Sequence, residues 1–230
     1  MNDVHSKPEI RLACLDMAGT TVADDGLVLA AFAAALDELK VTAEDERARM
    51  TRYVVETMGE SKITVFRALF PGDETAAQEG NAAFETAYSG KIELTRALPG
   101  AEETFERLRA DGVRIALTTG FSRATVDALL EHLGWAGLID LSLTPGDVGG
   151  LGRPHPDLIL AAAARLADAD TRAVAVVGDT ASDIRSGLAA GAVIVAGVLT
   201  GAHDRSKLTE AGATRVLDHV AEFPALLGEH

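Results

Sequence analysis

Apolar residues along this chain follow two periods. From Ile10 to Leu15 they alternate, with Ile10, Leu12 and Cys14 on one side and Arg11, Ala13 and Leu15 on the other. This period-2 run predicts a buried strand that stops at Asp16. From Leu27 the period becomes helical: Leu29, Phe32, Leu36 and Leu39 fall on one face. A charged segment, Glu44 to Arg52, then leads into Tyr53, Val54, Val55 and Met58, with Gly59 as the expected stop. A third helix begins at Glu60 or Ser61, carries Ile63, Phe66 and Phe70, and ends at Pro71-Gly72; a fourth covers about Glu74 to Tyr88.

Beyond Pro99-Gly100, strands and helices alternate. Helices are expected over Ala101–Ala110, Ser122–Leu133, Asp157–Ala167, Ala181–Ala190 and Val220–Leu227. Strands are expected over Val113–Thr119, Leu138–Leu143, Ala173–Val177, Val193–Val198 and Arg215–Leu217. Such alternation predicts an α/β fold, a doubly wound parallel sheet with helices on both faces. A crossover between the first two strands needs one helix, yet four lie there. Residues 26–96 are therefore expected to form an inserted helical cap domain, and residues 1–25 and 97–230 the α/β catalytic core. Gly26 and the Gly90–Ala97 stretch would be the linkers, with substrate enclosed between the two parts. Residues 1–8, polar and ending in Pro8, are expected to be a loose lead-in.

Composition narrows the partners. The chain has 230 residues, 47% of them apolar, enough to fill a substantial core. A net charge of −14, from 35 acids against 21 bases, argues against nucleic acid or an anionic membrane as partner. An anionic substrate must then meet a local positive field, which a divalent metal would supply. The single cysteine, Cys14, lies inside the first strand and reads as a small buried hydrophobe. No basic N-terminal segment precedes an apolar run, and no apolar stretch is long enough to span a bilayer. A soluble, cytoplasmic protein is expected.

Candidate chemistry gathers at the strand ends. After Asp16 come Ala18, Gly19, Thr20 and Thr21, small or hydroxyl residues that let backbone N–H groups approach an anion. The second strand ends in Thr118-Thr119-Gly120, with Ser122 as a helix N-cap, a suitable phosphate-oxygen site. The glycine-rich loop before Pro154 offers one cation, Arg153, whose guanidinium suits phosphate. A further strand ends at Gly178-Asp179, and Asp183 follows in the first turn of a helix. Three carboxylates, Asp16, Asp179 and Asp183, would raise one another's pKa unless neutralised. Hard oxygen ligands beside a phosphate match magnesium.

D-x-x-G-T, then T-G, then R-P, then G-D-x-x-x-D, in this order, resembles the four-motif pattern of the haloacid dehalogenase superfamily across the whole core. The resemblance implies Asp16 as nucleophile, Thr119, Gly120 and Arg153 as the phosphate site, and magnesium at Asp16, Ala18, Asp179 and Asp183. Most phosphatases and mutases of that superfamily carry an acid two residues after the nucleophile to protonate the leaving oxygen; here that position is Ala18. The D-x-A-G-T-T-V string, and Met58-Gly59-Glu60-Ser61-Lys62-Ile63, are similar to the phosphonatase branch, the phosphonoacetaldehyde hydrolases. There the leaving group is carbon and a cap lysine condenses with an aldehyde.

That similarity implies Lys62 as the amine, with Met58 beside the substrate. Val65, Phe66 and Leu69 lie three, four and seven residues on, so the ammonium emerges from an apolar face that would lower its pKa. The chain departs from the branch at Val65, in place of a histidine, and at Phe121, in place of a tyrosine. It also has a Gly197–His203 loop and no long final helix.

These features lead to the expectation of a magnesium-dependent hydrolase acting on a small phosphonate, phosphonoacetaldehyde-like, through an aspartyl-phosphate, with the lysine imine left open. The alternative is a phosphatase for a small activated phosphate ester. A non-enzymatic phosphometabolite sensor is disfavoured because the nucleophile and metal acids are all present. A homodimer is also expected, because the helix Leu27–Leu39 and the aromatic-bearing cap carry more apolar surface than four short helices bury, and phosphonatase pairs through its cap.

Overall fold

The computed structural model describes residues 9–228; the lead-in expected over residues 1–8 lies outside them. Six parallel strands form one sheet: β1 (Leu12–Asp16), β2 (Arg114–Thr118), β3 (Leu141–Leu143), β4 (Val174–Gly178), β5 (Ile194–Val198) and β6 (Arg215–Leu217), in the order β3-β2-β1-β4-β5-β6. All five residues of β1 are buried, as a central parallel strand covered on both faces requires. Its register sets Asp16 beside Thr118 and Leu15 beside Val177. Asp16, Thr119 and Asp179 therefore leave the sheet at one edge, where the strand order reverses and such folds bind ligands.

Alternation along the strands splits the core into two layers. Leu12, Cys14, Ala116, Val174 and Val176 pack against α7 (Asp157–Leu166). Ala13, Leu15, Ile115, Leu117 and Val177 join the larger cluster containing α5 (Ala101–Ala110) and α6 (Arg123–Leu133). Cys14 is fully buried, as its place in the strand predicts, and burial pushes its thiol up to about 12. Among the described residues no helix is long and apolar enough to cross a membrane.

Four helices separate β1 from β2: α1 (Leu27–Glu38), α2 (Glu44–Glu56), α3 (Lys62–Leu69) and α4 (Glu74–Ser89). The apolar face read at Phe32 and Leu36 turns inward, and the Phe32 ring stacks on Phe66 at 5.1 Å and meets Phe84 at 4.7 Å. Phe84 stacks in turn on Phe121, which follows β2, at 6.5 Å. One apolar cluster thus runs from the sheet face through the inserted helices. The two segments joining the insert to the sheet bond to each other, Ala23 N–H donating to Arg96 O at 2.9 Å and Leu98 N–H to Thr21 O at 2.8 Å.

Several element boundaries differ from those the periodicity predicts: β1 runs over Leu12–Asp16 rather than Ile10–Leu15. Helix α2 stops at Glu56 rather than at Gly59: both the Thr57 amide and its hydroxyl bond back to Tyr53 O, and residues 57–60 form a turn. Strand β3 starts at Leu141 because Trp135–Gly137 make a 3-10 turn, and Asp140 accepts from Ile115 N–H through its carboxylate. The last helix is a 3-10 turn, Val220–Glu222, followed by α10 (Phe223–Gly228), since Pro224 begins a helix more readily than it sits inside one. Helix α9 (Arg205–Glu210) is additional, capped by Asp204 accepting from Lys207 N–H at 2.9 Å. Helix α8 (Ala181–Ala190) has the bounds its sequence predicts.

Candidate active site

Asp16, at the end of β1, is 4% exposed. Its Oδ1 accepts from Arg153 Nη1 at 2.6 Å, and the same nitrogen donates to Asp183 Oδ1. A buried guanidinium is stable there because two carboxylates hold it. Arg153 Nε is buried without a hydrogen-bond partner, a spare donor beside the nucleophile candidate.

Past Asp16 the chain curls tightly, with Met17 O accepting from the amides of Thr20, Thr21 and Val22. Gly19 has φ +91, and a Cβ there would stand 2.5 Å from Asp179 Oδ2, so only glycine lets the loop approach that acid. Thr20 Oγ1 donates to Asp179 Oδ1 at 3.2 Å and Ala202 N–H to Oδ2 at 2.7 Å. Burial pushes the Asp179 carboxyl up, and the nearby charge of Asp16 adds to the shift.

Asp183 sits in the first turn of α8, in a capping box with Thr180: its Oδ2 accepts from Thr180 N–H at 3.0 Å and from the Thr180 hydroxyl at 2.5 Å. One carboxylate oxygen from each of Asp16, Asp179 and Asp183 lies within 4.8 Å of the others, all three residues being buried. Three buried carboxylates against one guanidinium leave an excess of negative charge, and the donors are all oxygen. The set fits a hard divalent cation such as magnesium. Ala18 has no side-chain donor and could add only its backbone oxygen.

The outer hydrogen bonds that aim Asp179 yield a prediction. A Cβ on Gly201 would collide with the Asp179 carboxylate. Gly201→Ala is expected to raise the magnesium concentration giving half-maximal activity by about 10–100-fold, the cost of disturbing a ligand's support. An unchanged magnesium titration would remove Asp179 from the metal site.

Asp16, Ala18, Met58, Lys62, Thr119, Gly120, Arg153 and Asp179 line one cavity of about 360 Å³. Asp183 stands behind them, joined through Arg153. Thr119, 2% exposed, accepts from Phe121 N–H at 3.3 Å. Two glycines admit the insert to this edge. A Cβ on Gly59, whose φ is +89, would strike the Thr180 hydroxyl, and one on Gly120 would strike Glu60 O. The turn after α2 thereby brings Met58 and Lys62 over the strand ends.

Lys62, the first residue of α3, is 6% exposed. Its Nζ donates to Glu60 O at 3.5 Å and lies 5.2, 5.7 and 6.0 Å from the ring centroids of Phe121, Phe84 and Phe32. Burial pushes the ammonium down to about 8, with Arg153 acting the same way and Asp16, Glu85 and Asp24 opposing. The apolar face expected from Val65, Phe66 and Leu69 is present, and all three are buried.

Sequence reasoning did not single out Thr20 and Thr180 as carboxylate partners, the Thr200–His203 loop as a support, or Phe32 and Phe84 as neighbours of Lys62. The Thr180 role had a readable signal, T-A-S-D at the start of a helix. The others arise from contacts between distant segments.

Comparison with known proteins identifies the family. The family profile described as haloacid dehalogenase-like hydrolase matches residues 10–191. A phosphonoacetaldehyde hydrolase of Bacteroides fragilis is 30% identical over 261 aligned residues, covering 95% of this chain and 96% of that protein. A Dickeya dadantii protein named as a probable phosphatase is 31% identical, covering 92% of this chain and 90% of its own. The crystal structure of a hydrolase from Pseudomonas syringae superposes with a TM-score of 0.83 at 25% identity, over 95% of this chain and 98% of that one. With three motifs at strand ends, the fourth, Arg153-Pro154, in the loop ahead of α7, and the family profile spanning most of the chain, this protein belongs to the haloacid dehalogenase-like hydrolases.

Proposed function

We propose that this hydrolase cleaves the carbon–phosphorus bond of a small carbonyl phosphonate, with Asp16 as nucleophile and Lys62 as the amine that activates the carbonyl. The observation that carries the reading is Lys62: a buried lysine with its pKa lowered to about 8 in the same cavity as Asp16, beside Ala18 where an acid would serve an oxygen leaving group. The B. fragilis relative's name supports it.

In this scheme the free amine of Lys62 adds to the aldehyde, one proton is taken up from solvent and the carbonyl oxygen leaves as water, giving a protonated imine. Asp16 attacks phosphorus, and the electrons of the breaking carbon–phosphorus bond pass into the iminium, leaving an enamine. Protonation at carbon and hydrolysis of the resulting imine release the dephosphonylated carbonyl product, acetaldehyde in the case of phosphonoacetaldehyde, and free Lys62. A second water hydrolyses the aspartyl-phosphate to inorganic phosphate. Thr119, Gly120 and Arg153 hold the phosphoryl oxygens. Magnesium, held by Asp16, Asp179, Asp183 and the Ala18 backbone oxygen, would supply charge neutralisation at those oxygens. Residues 26–96 act as a cap that brings Met58 and Lys62 over the core formed by the remainder.

The test is stoichiometric release of phosphate and acetaldehyde from phosphonoacetaldehyde in the presence of magnesium; no release of either would overturn the reading. Asp179→Ala is expected to lower activity at about millimolar magnesium by two powers of ten or more. Full activity after exhaustive chelation would remove the metal from the scheme. Hydrolysis of an activated phosphate ester is the second reading, favoured by the Dickeya relative and needing Asp16 but not Lys62.

A further inference from the structure

The cavity holding Asp16 and Lys62 is wider than a two-carbon substrate needs. Its volume of about 360 Å³ equals that of roughly twelve water molecules, well beyond the few heavy atoms of phosphonoacetaldehyde. The buried end carries the polar groups already described. The solvent end is walled by apolar side chains: Leu29 of α1, Val55 of α2, Met58 and Leu98. Leu29 and Val55 remain 37% and 39% exposed, two large apolar groups turned to water at the mouth of a phosphoryl site.

The two charged groups at this end are both acids, and hydrogen bonds hold each in place. Asp24 accepts from Gly26 N–H at 3.1 Å and Val28 N–H at 3.0 Å, and Asp25 pairs with Arg96. An anionic substituent would be repelled by Asp24 and Asp25, whereas an apolar one would cover Leu29 and Val55.

We infer that the substrate carries an apolar substituent of several carbons beyond its carbonyl, seated on Leu29, Val55 and Met58. This rests on the proposed phosphonate reaction and names its substrate class: carbonyl phosphonates with an alkyl or aryl tail. Burying a methylene against such walls tightens binding, by about fourfold when burial is complete.

The experiment titrates methyl-, propyl- and hexylphosphonate into the full-length protein with magnesium, read by calorimetry. These probes lack a carbonyl, so their binding does not depend on Lys62 chemistry. Kd is expected to fall by about threefold per methylene over the first carbons. Leu29→Asp and Val55→Asp are each expected to cut the advantage of hexyl over methyl by about tenfold, with circular dichroism unchanged.

A Kd that is flat or rises with chain length overturns the inference. A flat Kd accompanied by self-association in sedimentation, lost in Leu29→Asp, also overturns it and assigns the patch to a second copy of the chain. A clear chain-length dependence, with no carbonyl phosphonate cleaved, sustains the tail site and sinks the proposed reaction alone.

Discussion

Asp16→Asn is expected to abolish phosphate release from every substrate, lowering kcat/KM by about four powers of ten or more, while the protein stays folded. An amide has nearly the size of the carboxylate but cannot attack phosphorus. The fold should tolerate the change because β1 is held by its ladders to β2 and β4, and Arg153 keeps Asp183 as a partner. Removing one of three neighbouring acids also relieves Asp179, whose pKa Asp16 helps to raise. The melting temperature should therefore hold within a few degrees or rise. Release of phosphate by the variant within about tenfold of the wild-type rate would overturn Asp16 as the nucleophile.

Lys62→Arg separates the two readings of the reaction. Arginine keeps the positive charge but offers no nucleophilic amine, so cleavage of a carbonyl phosphonate should fall by several powers of ten. Hydrolysis of an activated phosphate ester, which on the proposed scheme uses Asp16 and the phosphate-binding groups but not Lys62, should fall far less. Borohydride added with substrate should reduce the imine and leave a mass increment on the peptide containing Lys62.

The pH profile gives an independent check. In the proposed reaction Lys62 acts in its deprotonated form, whose fraction grows as pH rises through about 8. Carbonyl phosphonate cleavage should climb through that window, some two units below where an unperturbed lysine would place it. Ester hydrolysis should lack this limb. No trapped adduct, together with wild-type behaviour of Lys62→Arg on all substrates, would leave the activated-ester reading in place of the imine.

Much of the site could be read from the chain because its residues sit where local patterns end. Asp16 terminates a period-2 run, and Thr119 and Asp179 follow others, so a parallel sheet had to bring all three to one edge. Lys62 was legible in a different way: the resemblance of Met58–Ile63 to the phosphonatase segment singled it out, and Val65, Phe66 and Leu69 at helical spacing supported that by setting its stem on an apolar face. Where the boundaries shifted, a local polar contact competed with the apolar period. Thr57 closing on Tyr53 and Asp140 holding Ile115 N–H are side-chain bonds to the backbone that hydrophobic spacing does not register.

Strand and helix periods and chain order are local properties, so a parallel sheet, the order of the four motifs along the chain and the inserted helices could all be read from the residues alone. Which groups answer which follows instead from the packing of distant segments. Arg153 reaches Asp16 from 137 residues away and chooses Asp183 as its second partner. Ala202 N–H braces Asp179 from a loop that offers no motif. Phe32, Phe84 and Phe121 converge on Lys62 from α1, α4 and the loop after β2, and their burial of the amine lowers its pKa. The Glu60 carbonyl meets Gly120 across the join between insert and sheet. Each of these contacts joins segments far apart in the chain, and its distance and solvation follow from how whole elements pack, a quantity that no spacing within one segment encodes.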